Sequence, residues 1–259
     1  MSVTFLDGAI VHYEVLGRGR PIFFLHGWVG SWKYWIPSMQ VASVSFRAYA
    51  LDLWGFGETA RSVDRYPLDQ QADMLRQFMD SLGIGKIAIV GHGLGGLVGF
   101  NFARRFQQNV DRIMAVNCPI DYDAVHTRLR NGQPADLLEW LASRAPEAAA
   151  ALSDAVKADP KAIAASMTGL QSNNLFGAVR QAGIPCLLVY GQNDPAIPTP
   201  TLNPMPTMMH QIVLENSGHF PMIDETTRFN RLLTDFLALD SGVSPQELQL
   251  KEEWKRRVR

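Results

Sequence analysis

The chain has 259 residues, 47% of them hydrophobic and 19% charged, and a net charge of −1. That hydrophobic share suits one soluble globular domain with a modest insertion and excludes a disordered chain or a coiled coil. The balanced charge offers no footprint for nucleic acid or an anionic membrane. No apolar run approaches the roughly 18 residues of a spanning helix. The N-terminus, Met-Ser-Val-Thr-Phe-Leu, lacks the basic-then-apolar pattern of a secretory signal. Cys118 and Cys186 both lie in apolar strand-like surroundings, so small buried thiols and a cytoplasmic location are expected.

Strand patterns occupy 2–5 and 9–16, with a turn at Asp7-Gly8, and a continuous apolar run at 22–25 reads as a buried strand. A helix is predicted over 35–43 and a strand over 47–53. Pro67 then opens a helix whose Leu68, Ala72, Leu75 and Met79 repeat at one buried face. A strand at 86–90 runs into Gly91-His92-Gly93-Leu94-Gly95-Gly96 and an apolar helix to about 106, followed by a strand at 112–117. Over 119–183 no strand pattern appears; this stretch reads as a helical insertion, with Leu137, Leu138 and Leu141 on one face and Ala148, Leu152 and Val156 on another. Strands return at 185–190 and 210–214, and a helix covers 226–239. Short strands alternating with helices give an α/β sheet protein.

The tail, 241–259, starts with a helix signal: Ser244 at the cap, Pro245, and Glu247 three after the serine. Leu250, Trp254 and Val258 then form an apolar stripe. It suits a helix docked on its own domain or a homodimer contact.

Four segments follow strands and carry chemistry. A strand feeding Gly91–Gly96 and then a helix is the setting of a nucleophile elbow, whose sharp turn needs small residues two before and two after the central one. Gly91 and Gly95 supply them, and the central residue is Gly93. A phosphate loop would need Gly-Lys-Ser/Thr, which is absent, and a dinucleotide turn would need an acidic residue where Asn117 stands. His26-Gly27-Trp28 follows the third strand. Asp194, in Gly191-Gln192-Asn193-Asp194-Pro195, and His219, in Ser217-Gly218-His219-Phe220-Pro221, follow the last two. Asp52 is expected to order the loop before Gly55, His26 to hold its own loop, and His92 to be a packing residue. Alone, Asp194 would read as a turn residue before proline. His12, His126 and His210 have no metal-ligand spacing, and no cofactor motif is present.

With these motifs in this order, residues 3–240 resemble the α/β-hydrolase fold family, in the branch of small esterases, C–C bond hydrolases and haloperoxidase-like enzymes. The resemblance implies a mostly parallel eight-stranded sheet with helices on both faces. It makes 1–118 and 184–240 the core and 119–183 a helical cap over a small apolar ligand or substrate. It implies Gly93 at the nucleophile position, Asp194 as acid and His219 as base, with the Trp28 and Leu94 N–H groups as oxyanion hole. The departure is Gly93, where the family carries Ser, Asp or Cys. One reading is a non-hydrolytic, ligand-binding member. The alternatives are a serine hydrolase carrying a nucleophile-to-Gly substitution, or an enzyme that uses the His219–Asp194 dyad alone as general base.

Overall fold

A computed structural model describes residues 2–142 and 146–248, with the side chains of 146 and 147 left aside. Eight strands form one sheet: β1 (Ser2–Leu6), β2 (Ala9–Gly17), β3 (Arg20–Leu25), β4 (Phe46–Leu51), β5 (Ile87–His92), β6 (Val110–Val116), β7 (Cys186–Gly191) and β8 (Met209–Leu214). Their order across the sheet is β1-β2-β4-β3-β5-β6-β7-β8. β1 and β2 pair antiparallel, as do β2 and β4, and every later pairing is parallel. This is the sheet that the sequence led us to expect. All six residues of β5 and of β7 are buried, because helices cover both faces, and such strands read as continuous apolar runs.

The helices of the core are α1 (Ile36–Ala42), α2 (Leu68–Ser81) and α3 (Leu94–Arg105). Between β6 and β7 come α4 (Thr127–Asn131), α5 (Pro134–Leu141), α6 (Pro146–Ala151), α7 (Pro160–Ser172) and α8 (Leu175–Ala182). The chain closes through α9 (Pro221–Asp224) and α10 (Thr226–Ala238). α1 packs with α10, while α2 and α8 pack on α3. The described residues of 119–183 form helices and turns and no strand, as their lack of alternation predicts. Val156, however, is 59% exposed and does not share the buried face of Ala148 and Leu152. The reason is local: α6 ends at Ala151 and a separate 3-10 turn covers Ala155–Lys157, so the 3.6-residue period does not carry across.

The strand predicted at 47–53 ends at Leu51, two residues early, because Asp52 and Leu53 turn into the loop that contacts His26. Near the C-terminus Ser244 caps a short 3-10 helix, Pro245–Glu247, as its motif predicts. Gln246 fastens this turn to β8 by donating to the Pro206 and Met209 carbonyls. The Leu250, Trp254 and Val258 stripe lies outside the described residues. Both cysteines are free and buried, and burial pushes the Cys186 thiol up to about 12 and that of Cys118 well above its ordinary value. Among the described residues no helix is long and apolar enough to cross a membrane.

Candidate active site

In a parallel sheet the loops leaving the carboxyl ends of the strands converge on one crevice. Here those loops carry His26–Trp28, Asp52–Glu58, Gly93, Asn117, Asp194 and His219. The turn between β5 and α3 is tight. A side chain at Gly95 would run into the Leu25 carbonyl, and one at Gly91 into the backbone of Gly95. Gly93 itself sits at φ 46, ψ −107, a region that glycine enters with little strain. Its N–H donates to the Val116 carbonyl at 2.9 Å, tying the turn to the end of β6.

His219 and Asp194 meet although they are 25 residues apart. Asp194 Oδ2 lies 2.9 Å from His219 Nδ1. Its Oδ1 accepts from the Ala196 N–H at 2.8 Å, so the same carboxylate also shapes its turn. Because Nδ1 faces a carboxylate, it carries the proton, and the neutral ring then presents a lone pair at Nε2. Nε2 is buried and has no hydrogen-bond partner among the described residues.

Sequence reasoning missed Asn117, which sets the loops around this pair. It stands at φ 40 just past β6. Its Nδ2 donates to the Gly218 and His219 carbonyls at 2.9 and 3.0 Å, and its Oδ1 accepts from Gly191 N–H at 2.8 Å. An asparagine ending a buried apolar run was the available signal, since a buried amide must find partners.

His92 packs as expected, with its ring 4.8 Å from that of His219. It contacts the Tyr34 hydroxyl at 3.0 Å and the His219 carbonyl at 2.8 Å. Burial, reinforced by the neighbouring His219, holds its pKa well below the ordinary 6.5. His26 accepts the Leu53 N–H at Nε2 (3.0 Å) and donates from Nδ1 to the Gly27 carbonyl (2.8 Å), which fixes the loop. Asp52 is fully buried, receives the Trp32 and Glu58 N–H groups, and pairs with His12 at 2.8 Å. These bonds order its loop.

Trp28 and Leu94 flank Gly93 on the two loops. Leu94 opens α3, where a backbone N–H has no acceptor within the helix. Neither N–H takes an acceptor among the described residues. The Trp28 ring lies against Gly93: a Cβ built there would sit 2.8 Å from Cζ3 and 2.9 Å from Cε3 of the indole. Its Nε1 donates to Ser166 Oγ of α7 at 2.8 Å. Trp28, Leu94 and His219 are all no more than 1% exposed, so the crevice is closed around them. An open cleft of about 930 Å³ lies beside it, lined by Trp140, Asn193, Gly218, His219 and Asp224 among others.

Comparison with known proteins agrees with this architecture. The chain is 30% identical over 112 residues to a soluble epoxide hydrolase of Corynebacterium, covering 43% of this chain and 39% of that protein. It is 32% identical over 137 residues to human epoxide hydrolase 4, covering 51% and 37%. The chain thus spans well under half the length of these two relatives. Among solved structures, a meta-cleavage product hydrolase from Pseudomonas fluorescens superposes with a TM-score of 0.79 at 23% identity, over 92% of this chain and 97% of that one. The family model described as alpha/beta hydrolase fold matches residues 20–160, more than half of the sequence. The chain belongs to the α/β-hydrolase fold family.

Proposed function

We propose that this chain is a non-acylating member of its family, which binds a small, mainly apolar ligand beneath the helices of 119–183. The observation that carries this reading is Gly93 at the turn into α3, with the Trp28 ring lying where a side chain from position 93 would project. Covalent catalysis needs a side-chain atom to attack the substrate, and glycine has none. In this reading position 93 is the family's nucleophile position left vacant. Asp194 orients His219, the Trp28 and Leu94 N–H groups are the anion-stabilising donors, and 119–183 is the cap.

Stopped-flow mixing with p-nitrophenyl acetate and labelling with a fluorophosphonate test this reading. We expect no burst of p-nitrophenol and no covalent label. One equivalent of burst product, or a labelled peptide from the 91–96 turn, would overturn it.

The buried, unpartnered His219 Nε2 supports a second reading, in which the dyad acts as a general base without a covalent step. Steady turnover without a burst, abolished by His219→Ala, would favour it over simple binding.

A further inference from the structure

The indole of Trp28 is fully buried, has its Cζ3 and Cε3 edge against a turn that has no Cβ, and makes one polar side-chain contact among the described residues, Nε1 to Ser166 Oγ at 2.8 Å. Ser166 is committed in advance: its hydroxyl donates to the Ile163 carbonyl at 2.6 Å, so toward the crevice it can only accept. His219 Nε2 is buried and has no hydrogen-bond partner among the described residues. A buried polar nitrogen without a partner is costly. Three features of a receptor site meet here: a turn without a side chain at Gly93, an acceptor at Ser166 and an unpartnered nitrogen at His219.

We propose that Trp28 is a stand-in for the ligand. A planar aromatic molecule of about indole size, carrying an N–H or O–H donor, displaces the Trp28 ring, lies over Gly93 and gives its hydrogen bond to Ser166. This rests on the non-acylating reading above and names its ligand class. Two features of the chain fit it. Glycine at 93 puts no side chain into the space of a ring, and the acceptor comes from α7, one of the helices between β6 and β7.

The probes are indole and 1-methylindole, which differ in the one donor. Titration calorimetry and thermal melts on the full chain compare the unmodified protein, Trp28→Ala, and Trp28→Ala with Ser166→Ala. We expect saturable indole binding to the unmodified protein and at least about ten-fold tighter binding to Trp28→Ala, where no ring has to be displaced. In Trp28→Ala, indole should bind about five-fold more tightly than 1-methylindole, the worth of one ordinary hydrogen bond. Adding Ser166→Ala should abolish that preference. Indole that ignores the unmodified protein, binds both forms equally, or is matched by 1-methylindole in Trp28→Ala would overturn the proposal. If Trp28→Ala does not fold, Trp28→Leu carries the same comparison. A p-nitrophenol burst would sink the non-acylating reading and still leave these titrations interpretable.

Discussion

A serine at position 93 would have to adopt φ 46 and push its Cβ against the Trp28 ring, at 2.8 Å from the nearest ring carbon. The first is a strained conformation for a residue with a side chain, and the second is overpacking. Gly93→Ser should therefore lower stability by about 2–4 kcal/mol, seen in urea unfolding. On its own it should create no esterase activity. Paired with Trp28→Ala, which keeps the backbone N–H at 28, it should give measurable hydrolysis of p-nitrophenyl acetate. Gly93→Ser that is as active alone as in the pair would mean that Trp28 is no obstacle. At this scale the places of Gly93, Asp194 and His219 at the ends of strands were legible because each lies within a local motif. The ring position of Trp28 was not, because it depends on Ser166, 138 residues away in sequence. Asn117 was passed over as merely not acidic, although its amide organises three loops by hydrogen bonds that only the folded chain brings together.

The elements between β6 and β7 were legible as helices but not in their attachment to the core, which is made by charges far apart in sequence. Asp154 is almost fully buried and meets Lys33 Nζ and Lys157 Nζ, each at 2.8 Å. Lys157 also pairs with Glu58, and Ser31 donates to the same Asp154 carboxylate at 3.3 Å. A second fastening joins the Tyr66 hydroxyl to Asp159 at 2.7 Å, at the cap of α7. Burial pushes the Asp154 carboxyl up, but hydrogen bonds from Lys157 and Lys33 and their charges outweigh it and hold the pKa below the ordinary 3.8. A lowered acid stabilises the fold above 3.8, and that contribution is lost as pH falls through the folded value. Both ammonium groups are more than a third exposed, so solvent screens the pairs. Asp154→Asn should cost about 1 kcal/mol at neutral pH and low salt, and less at 1 M salt. Equal losses at both salt concentrations would mean that the carboxylate acts through packing or neutral hydrogen bonds.

Over the whole molecule, the titration of the histidines follows from where the sheet puts them. His26 and His92 sit at the carboxyl ends of β3 and β5, fully buried, and burial is the first cause holding both below 6.5. His210, half-buried on β8, is lowered by burial as well. For these three the unfolded chain binds a proton below 6.5 that the folded chain does not, so stability falls as pH drops from 6.5 toward the folded values. His26 and His92, both fully buried, can each contribute up to about 1.4 kcal/mol per pH unit in that window, and the partly exposed His210 less. His12 runs the other way. Burial alone would lower it, but the hydrogen bond and charge of Asp52 raise it above 6.5. Its contribution is complete below 6.5 and lost as pH rises through the folded value, so it does not offset the others on the acid side. Melts at pH 5.5, 6.5 and 7.5 should therefore show a clear fall at 5.5. His92→Gln should make that fall shallower, because it removes a buried group that resists protonation while an amide can still reach the His219 carbonyl. A melting temperature that does not change between pH 5.5 and 6.5 would mean that these rings take up protons in the folded state and that the loops around them open more readily than their packing implies.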